Sequence, residues 1–348
     1  MDLKLLKKQE HQRRVKFGYM WALFCAVLWG LWYIPGTVVW VLNPFDEMYG
    51  EIAAGSGDGV ALVIVAVLIT ALNALTVIIA LGVWNGVLGK FGEMKRTVKE
   101  FNPCSKWFFL ASIFGGPMAI LGSFIAMGFV GGAFAAVAAL MYPVVGSILA
   151  SKWYGEKITK RAFVGIGFII VGGITIFGGG LLTELGNGNV AWIGYVGGLM
   201  AAAGWGIEGA VAGKGLDIAE PDVGLTLRFL GENIIWWIIA IPLLVIAGFP
   251  MIKYALLAFE PLTILVLMFA GITFGFCYVA WYKSFPLIGV GRGQGIGNLY
   301  GLMAVVFIAL FFGDIPGWTI LLGGALCLAG STIMFSEDTG EMESLRGD

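Results

Sequence analysis

Three ionisable side chains stand inside long apolar runs: Glu208 in "AAAGWGIEGAVAG", and Arg228 with Glu232 in "LTLRFLGENIIWW". An ionised group surrounded by hydrocarbon is costly, so each of the three is a functional candidate by default. Arg228 and Glu232 are four residues apart and share one helix face, which Trp236 continues. Arg228 lies near enough to a membrane surface to snorkel, whereas Glu232 lies closer to mid-membrane. Together the three leave a formal charge of −1, which a cationic substrate or a bound proton would neutralise. Arg228 has two candidate partners, Glu232 on its own helix and Glu208 across helices. Either choice leaves the other carboxylate free. The plainer reading is a buried ion pair with no role in transport.

Aromatic residues gather around the same candidates. Trp29, Trp32 and Tyr33 form one group at helical spacing, Tyr278, Trp281 and Tyr282 a second, and Trp205 precedes Glu208 by three residues. Indole and phenol faces attract organic cations, most strongly when desolvated, so a cage around a cation is expected. Trp and Tyr also serve as interfacial anchors, but Trp29 and Trp205 fall near mid-membrane, where that role does not fit. Gln294 and Asn298, with Tyr300, lie in "GRGQGIGNLYG". Amides there would bind a neutral or zwitterionic substrate without burying a charge. The glycines of this stretch imitate a dinucleotide fingerprint, yet no strand precedes them. No G-x-x-x-x-G-K-[ST] occurs, which excludes an ATP-driven pump encoded in this chain alone.

Cys25, Cys104, Cys277 and Cys327 lack C-x-x-C spacing and read as reduced, space-filling thiols. The single histidine, His11, lies in a charged stretch. No metal, cofactor or catalytic residue is expected, and the near-neutral net charge points to no nucleic acid partner.

The elements that position these residues follow from hydropathy. Of 348 residues, 59% are hydrophobic and 12% charged, half the charged fraction of roughly 25% found in soluble domains. Ten apolar segments are expected, at 17–42, 60–88, 106–128, 131–152, 161–182, 190–213, 223–247, 261–285, 290–312 and 316–336. Each approaches or exceeds the roughly 20 residues that a helix needs to cross a bilayer. The fold class is therefore all-α integral membrane, with a basic segment 1–16, helical repeats 17–182 and 190–336, and an acidic tail 337–348. The first segment is a retained helix rather than a cleaved signal. Placing both termini and the turn 155–160 in the cytoplasm leaves every Lys and Arg except Arg228 and Lys253 on that side. Loop 46–59, with Asp46, Glu47, Glu51 and Asp58, is then external.

The segments repeat. A shift of 176 lays Gly18, Tyr19, Leu23, Trp29 and Gly30 on Gly194, Tyr195, Leu199, Trp205 and Gly206. A shift of 158 lays Gly131, Tyr142, Gly155, Glu156, Gly165, Gly172 and Phe177 on Gly289, Tyr300, Gly313, Asp314, Gly323, Gly330 and Phe335. Five helices per copy make the second copy inverted in the membrane, a plan typical of alternating-access transporters. Four-residue ladders such as Gly18, Ala22, Ala26 and Gly30 let helices pack closely.

"FAAVAALMYPVVGSILASKWYGEKITKRAFVGIGFIIVGGITIF" and "ALFCAVLWGLWYIPG" resemble the ten-helix EamA-like branch of the drug/metabolite transporter superfamily. The resemblance implies a multi-pass inner-membrane transporter with a central substrate site between segments 1, 3, 4, 6, 7, 8 and 9. It covers nearly the whole chain and identifies no substrate. The family's second half often repeats an acidic residue and proline where this chain has "GNLYGLMA", so the ninth segment is expected to be straighter than the fourth. The expected function is secondary transport of a cationic or zwitterionic amine or amino-acid-like compound, with protons as an open coupling ion. The alternative is a neutral sugar or nucleobase. An embedded lipid-precursor enzyme would need a polar catalytic cluster, and a channel a ring of charges or a filter loop; neither is found. The expected partners are the substrate and the lipid bilayer, with the chain a monomer or homodimer.

Overall fold

The computed structural model describes residues 3–100, 102–156, 158–187 and 190–336. Lys157 and the tail 337–348 lie outside the described residues, as do the side chains of 1–8. Every regular element among the described residues is helical. The long helices among the described residues are, in chain order, α1 (Leu3–Val38), α2 (Asp58–Val87), α3 (Pro103–Phe129), α4 (Gly132–Tyr154), α5 (Lys160–Asn187), α6 (Trp192–Leu216), α7 (Pro221–Ile246), α8 (Pro261–Ile288), α9 (Val290–Phe312) and α10 (Trp318–Phe335). Short helices Phe45–Ser56, Phe91–Lys99 and Met251–Leu257 lie in the connections.

Eight of these helices, all but α6 and α10, are long and apolar enough to cross a membrane. α10 is shorter, and α6 is diluted by glycine, Glu208 and Lys214. The outward residues are as apolar as the core: Val171 and Ile174 on α5, Leu243 and Ile246 on α7, and Leu310 and Phe311 on α9 are all exposed. Water would penalise so broad an apolar surface, and lipid removes the penalty. The chain is a multi-pass membrane protein.

Glycine sets the closest helix approaches. A Cβ at Gly18 would stand 2.5 Å from Ile288, and one at Gly194 2.6 Å from Val130. Gly30 faces Met303 and Ala304, while Gly206 faces Tyr142 and Val145. α5 packs on α10 through Gly165 against the Gly330 carbonyl and Gly172 against the Gly323 carbonyl; a Cβ at either would come to 2.5 Å.

Four helices depart from regular α geometry near the middle of the bundle. α3 and α7 widen into π-helical turns at Phe114–Ile120 and Ile234–Ala240. α4 tightens to a 3₁₀ turn at Ala139–Met141, next to Pro143. The expectation of a straighter ninth segment is corrected: α9 is interrupted at Asn298 and Leu299. There the N–H groups of Leu299, Gly301 and Leu302 donate to carbonyls only three residues back. Proline is not needed for this break, because Asn298 fastens it to the break in α4 by donating Nδ2 to the Leu140 carbonyl at 2.8 Å.

Candidate functional site

The charged centre is built by α3, α6, α7 and α8. Arg228 serves both glutamates, correcting the expectation that one carboxylate stays free. Its Nε donates to Glu208 Oε1 at 2.6 Å and its Nη1 donates to Glu232 Oε2. All three side chains are fully buried. A planar fork with donors on separate edges spans two carboxylates in a way a lysine ammonium does not. Tyr278 and Tyr282 donate their hydroxyls to Glu208 at 2.7 and 3.3 Å, and Trp205 Nε1 donates to the Tyr278 hydroxyl at 2.7 Å. Among the described residues Glu232 receives one further bond, from Trp236 Nε1 at 3.1 Å. The guanidinium carbon lies 4.1 Å from the Phe229 ring centroid and 5.0 Å from that of Tyr278. The cluster still has one more formal negative charge than positive.

Gly115 and Gly116 make room for it. A Cβ on Gly115 would overlap Arg228 and come within 2.5 Å of the Glu208 carboxyl carbon, and a Cβ on Gly116 would come within 2.6 Å of Glu232. Both glycines belong to the π-helical turn of α3, and the π-helical turn of α7 begins two residues after Glu232. Wide turns displace backbone locally and recur at functional sites.

An aromatic layer adjoins the charges. Trp29 meets Trp205 edge-on at 4.7 Å between centroids, stacks on Tyr300 at 4.4 Å, and lies 5.7 Å from Trp281. Tyr142 joins them at 5.6 Å from Trp29. Tyr33 also stacks on Tyr300. Trp32 turns away from this layer, stacking on Phe274 and donating Nε1 to Asn73 Oδ1 at 3.2 Å. Gln294 threads between α4 and α6, where any Cβ on Gly146 or Gly209 would collide with its amide. Its backbone carbonyl accepts from the Tyr142 hydroxyl at 2.7 Å. Asn298 faces α10 instead, donating to Ser331 Oγ at 2.7 Å as well as to Leu140, so it holds helices together and stands apart from the charged centre.

No model of a protein family matches the sequence, and no curated protein matches it. Fifteen solved chains do resemble it in structure. One, described only as a crystal structure of a protein, superposes with a TM-score of 0.59 over 91% of this chain and 95% of its own at 15% identity. At that identity the likeness concerns the fold alone.

Every one of the fourteen residues singled out in the sequence is buried. Glu208, Arg228, Glu232, Trp236, Trp205, Tyr278 and Tyr282 form one continuous cluster. Trp29, Trp281 and Tyr300 border it, with Gln294 beside Trp281. Sequence reasoning missed Gly115, Gly116 and Tyr142. Their signals were a G-G-P run inside an apolar segment and, for Tyr142, its register with Tyr300. A third buried carboxylate was missed too. Asp222, at the start of α7, accepts from Lys90 and from Lys283 at 3.1 Å, and from Trp84 Nε1 at 3.1 Å. Lys90 also meets Glu220 at 2.7 Å. Burial works against the Lys90 charge, but the hydrogen bonds to Asp222 and Glu220 outweigh it and hold its pKa above the ordinary lysine value. This cluster joins the α2/α3 connection, α7 and α8 on the face that carries the N-terminal end of α1. On the opposite face Lys253 meets Glu51 at 2.6 Å.

Proposed function

We propose that the chain is a secondary transporter of the inner membrane, moving a small cationic or zwitterionic amine or amino-acid-like metabolite by alternating access. In this reading all ten long helices cross the bilayer as two inverted five-helix repeats, with both termini cytoplasmic, in keeping with the resemblance to EamA-like transporters. The glycine contacts support the repeat, because they come in pairs that the register shifts exchange. A shift of 158 converts Gly165 against Gly330 into Gly323 against Gly172. Shifts of 176 and 158 together convert Gly18 against Leu287 and Ile288 into Gly194 against Phe129 and Val130. Trp29 and Trp205, equivalent under the same operation, meet ring to ring.

The observation that carries the proposal is the triad Glu208, Arg228 and Glu232, fully buried, short of one positive charge, and lined by phenol and indole rings. A structural ion pair needs one carboxylate. The second makes sense as a place for a substrate cation or a proton, because either neutralises the site once water is excluded. A substrate ammonium entering between the glutamates competes with Arg228 for one carboxylate, and a proton on that carboxylate does the same, which links the two. Arg228 freed in this way faces a substrate carboxylate, which suits a zwitterion.

A neutral hydrogen-bonding metabolite is the second reading. It is favoured by the buried Nε1 of Trp29 and of Trp281 and Oε1 of Gln294, which have no partner among the described residues. A thermal-shift panel of amines, amino acids, sugars and nucleobases at two pH values separates the readings. A ligand at a hundred times its Kd stabilises by about 2.7 kcal/mol. Stabilisation confined to amines or amino acids supports the proposal; stabilisation confined to sugars or nucleobases overturns it in favour of the second.

A further inference from the structure

One carboxylate ties the α4/α5 turn to the α8/α9 turn. Glu156 accepts from the backbone N–H of Val290 at 2.9 Å and of Gly291 at 3.2 Å, the first two residues of α9. These N–H groups have no carbonyl partner within their helix, and the positive end of the helix dipole favours an anion there. Gly289, with φ at 85°, makes the sharp entry that presents them. Ser147 on α4 lies against the same spot: a Cβ on Gly291 would be 3.1 Å from Glu156 Oε2 and 3.3 Å from Ser147 Oγ. Burial pushes the Glu156 carboxyl pKa up, while the two N–H groups and Arg292 pull it down.

The shift of 158 copies the glycine turns, the carboxylate and the helix start of this device onto the other half of the chain, but not Ser147, which falls on Val305, and not the contact. Gly289 at φ 85° corresponds to Gly131 at φ 115°, and Gly155 at φ 69° to Gly313 at φ 68°. Val290 and Gly291 correspond to Gly132 and Ala133, the first two residues of α4. Glu156 corresponds to Asp314, yet Asp314 is exposed and has no hydrogen-bond or ion-pair partner among the described residues. Gly132 instead packs against Thr37 of α1.

We propose that Glu156 and Asp314 are alternating latches: Glu156 closes the face bearing the N-terminal end of α1, and Asp314 closes the opposite face by capping Gly132 and Ala133 after Glu156 releases. This rests on the transporter reading above. A latch that exists in two copies but is engaged in one turns a symmetric plan into a two-state device, because each copy stabilises a different state. Charge-assisted hydrogen bonds suit the role, being strong when formed and replaceable by water when exposed.

The test uses the purified full-length chain in lipid nanodiscs, with native cysteines replaced by alanine and one reporter at a time. Ser147→Cys reports opening beside Glu156, and Thr37→Cys reports opening beside Gly132. Glu156→Ala should speed maleimide labelling of Ser147→Cys by about tenfold, the shift expected for loss of ~1.4 kcal/mol, and slow Thr37→Cys. Asp314→Ala should do the reverse, and the double variant should return both rates to within about threefold of the parent. Glu156→Gln, which keeps one acceptor, should give a smaller effect and serves if the alanine variant fails to fold. Unchanged rates, or shifts of the same sign in Glu156→Ala and Asp314→Ala, overturn the latch while leaving the transporter reading standing. Rates for the two reporters that never vary in opposition, in any variant or ligand, overturn both.

Discussion

Replacing Arg228 with methionine keeps much of the stem volume and removes the cation that two buried carboxylates share. The structure gives unequal consequences. Glu208 would retain hydrogen bonds from Tyr278 at 2.7 Å and Tyr282 at 3.3 Å, whereas Glu232 would retain only Trp236 at 3.1 Å. Breaking a buried ion pair by deleting one partner costs about 3–5 kcal/mol, because a desolvated charge is left behind. Arg228→Met should therefore destabilise by roughly that amount. Adding Glu232→Gln should recover more than half, since it neutralises the carboxylate with fewer remaining donors. Adding Glu208→Gln should recover less, because Glu232 stays ionised beside a single indole. Equilibrium unfolding in mixed lipid and denaturing-detergent micelles measures all four proteins. Stability of Arg228→Met within about 0.5 kcal/mol of the parent would refute the shared-cation reading, as would better rescue by Glu208→Gln than by Glu232→Gln.

Gly115→Ala drives a methyl into Arg228 and should cost at least ~1–3 kcal/mol, whereas Gly167→Ala on α5, where a Cβ meets nothing within 4 Å, should be neutral in the same unfolding assay. Trp29→Ala and Trp205→Ala should weaken ligand binding, measured by thermal shift, more than Trp107→Ala or Trp318→Ala. Trp318 is 71% exposed. Equal losses at all four would leave the aromatic layer without a binding role. In intact cells, an impermeant thiol reagent should label Ser56→Cys in a background without native cysteines and leave Lys152→Cys untouched; the opposite pattern would invert the proposed orientation.

The helices were legible because hydropathy in a bilayer is a one-dimensional signal: eight of the expected segments fall on helices long and apolar enough to cross a membrane, although the first helix begins at Leu3, well before the apolar run that marked it. The glycine ladders were legible as well, and Gly18, Gly30, Gly194 and Gly206 stand at close crossings. Burial of Glu208, Arg228 and Glu232 followed from their place within apolar runs. Their joint pairing did not, because helix spacing relates Arg228 to Glu232 but says nothing of where α6 sets Glu208. The partners of Asn298 were hidden for a related reason. An amide inside an apolar run signals a buried partner, and the partner proved to be the Leu140 carbonyl at the break in α4. The breaks themselves were half legible. Pro143 marked the one in α4, whereas the one in α9 depends on a tertiary hydrogen bond that no local pattern encodes. The π-helical turns were missed because register shifts in backbone bonding have no side-chain period to announce them.

The central claim, that Glu208, Arg228 and Glu232 form a transport site for a cationic or zwitterionic metabolite, is tested most directly by uptake into proteoliposomes. The compound is the strongest stabiliser from the ligand panel, and the proteins are the parent, Glu208→Gln and Glu232→Gln, each measured from mildly acidic to mildly alkaline pH. The account predicts saturable, pH-dependent uptake by the parent, and loss of uptake or of its pH dependence in at least one variant that remains folded. Uptake with the parent's affinity, rate and pH profile in both variants would contradict it.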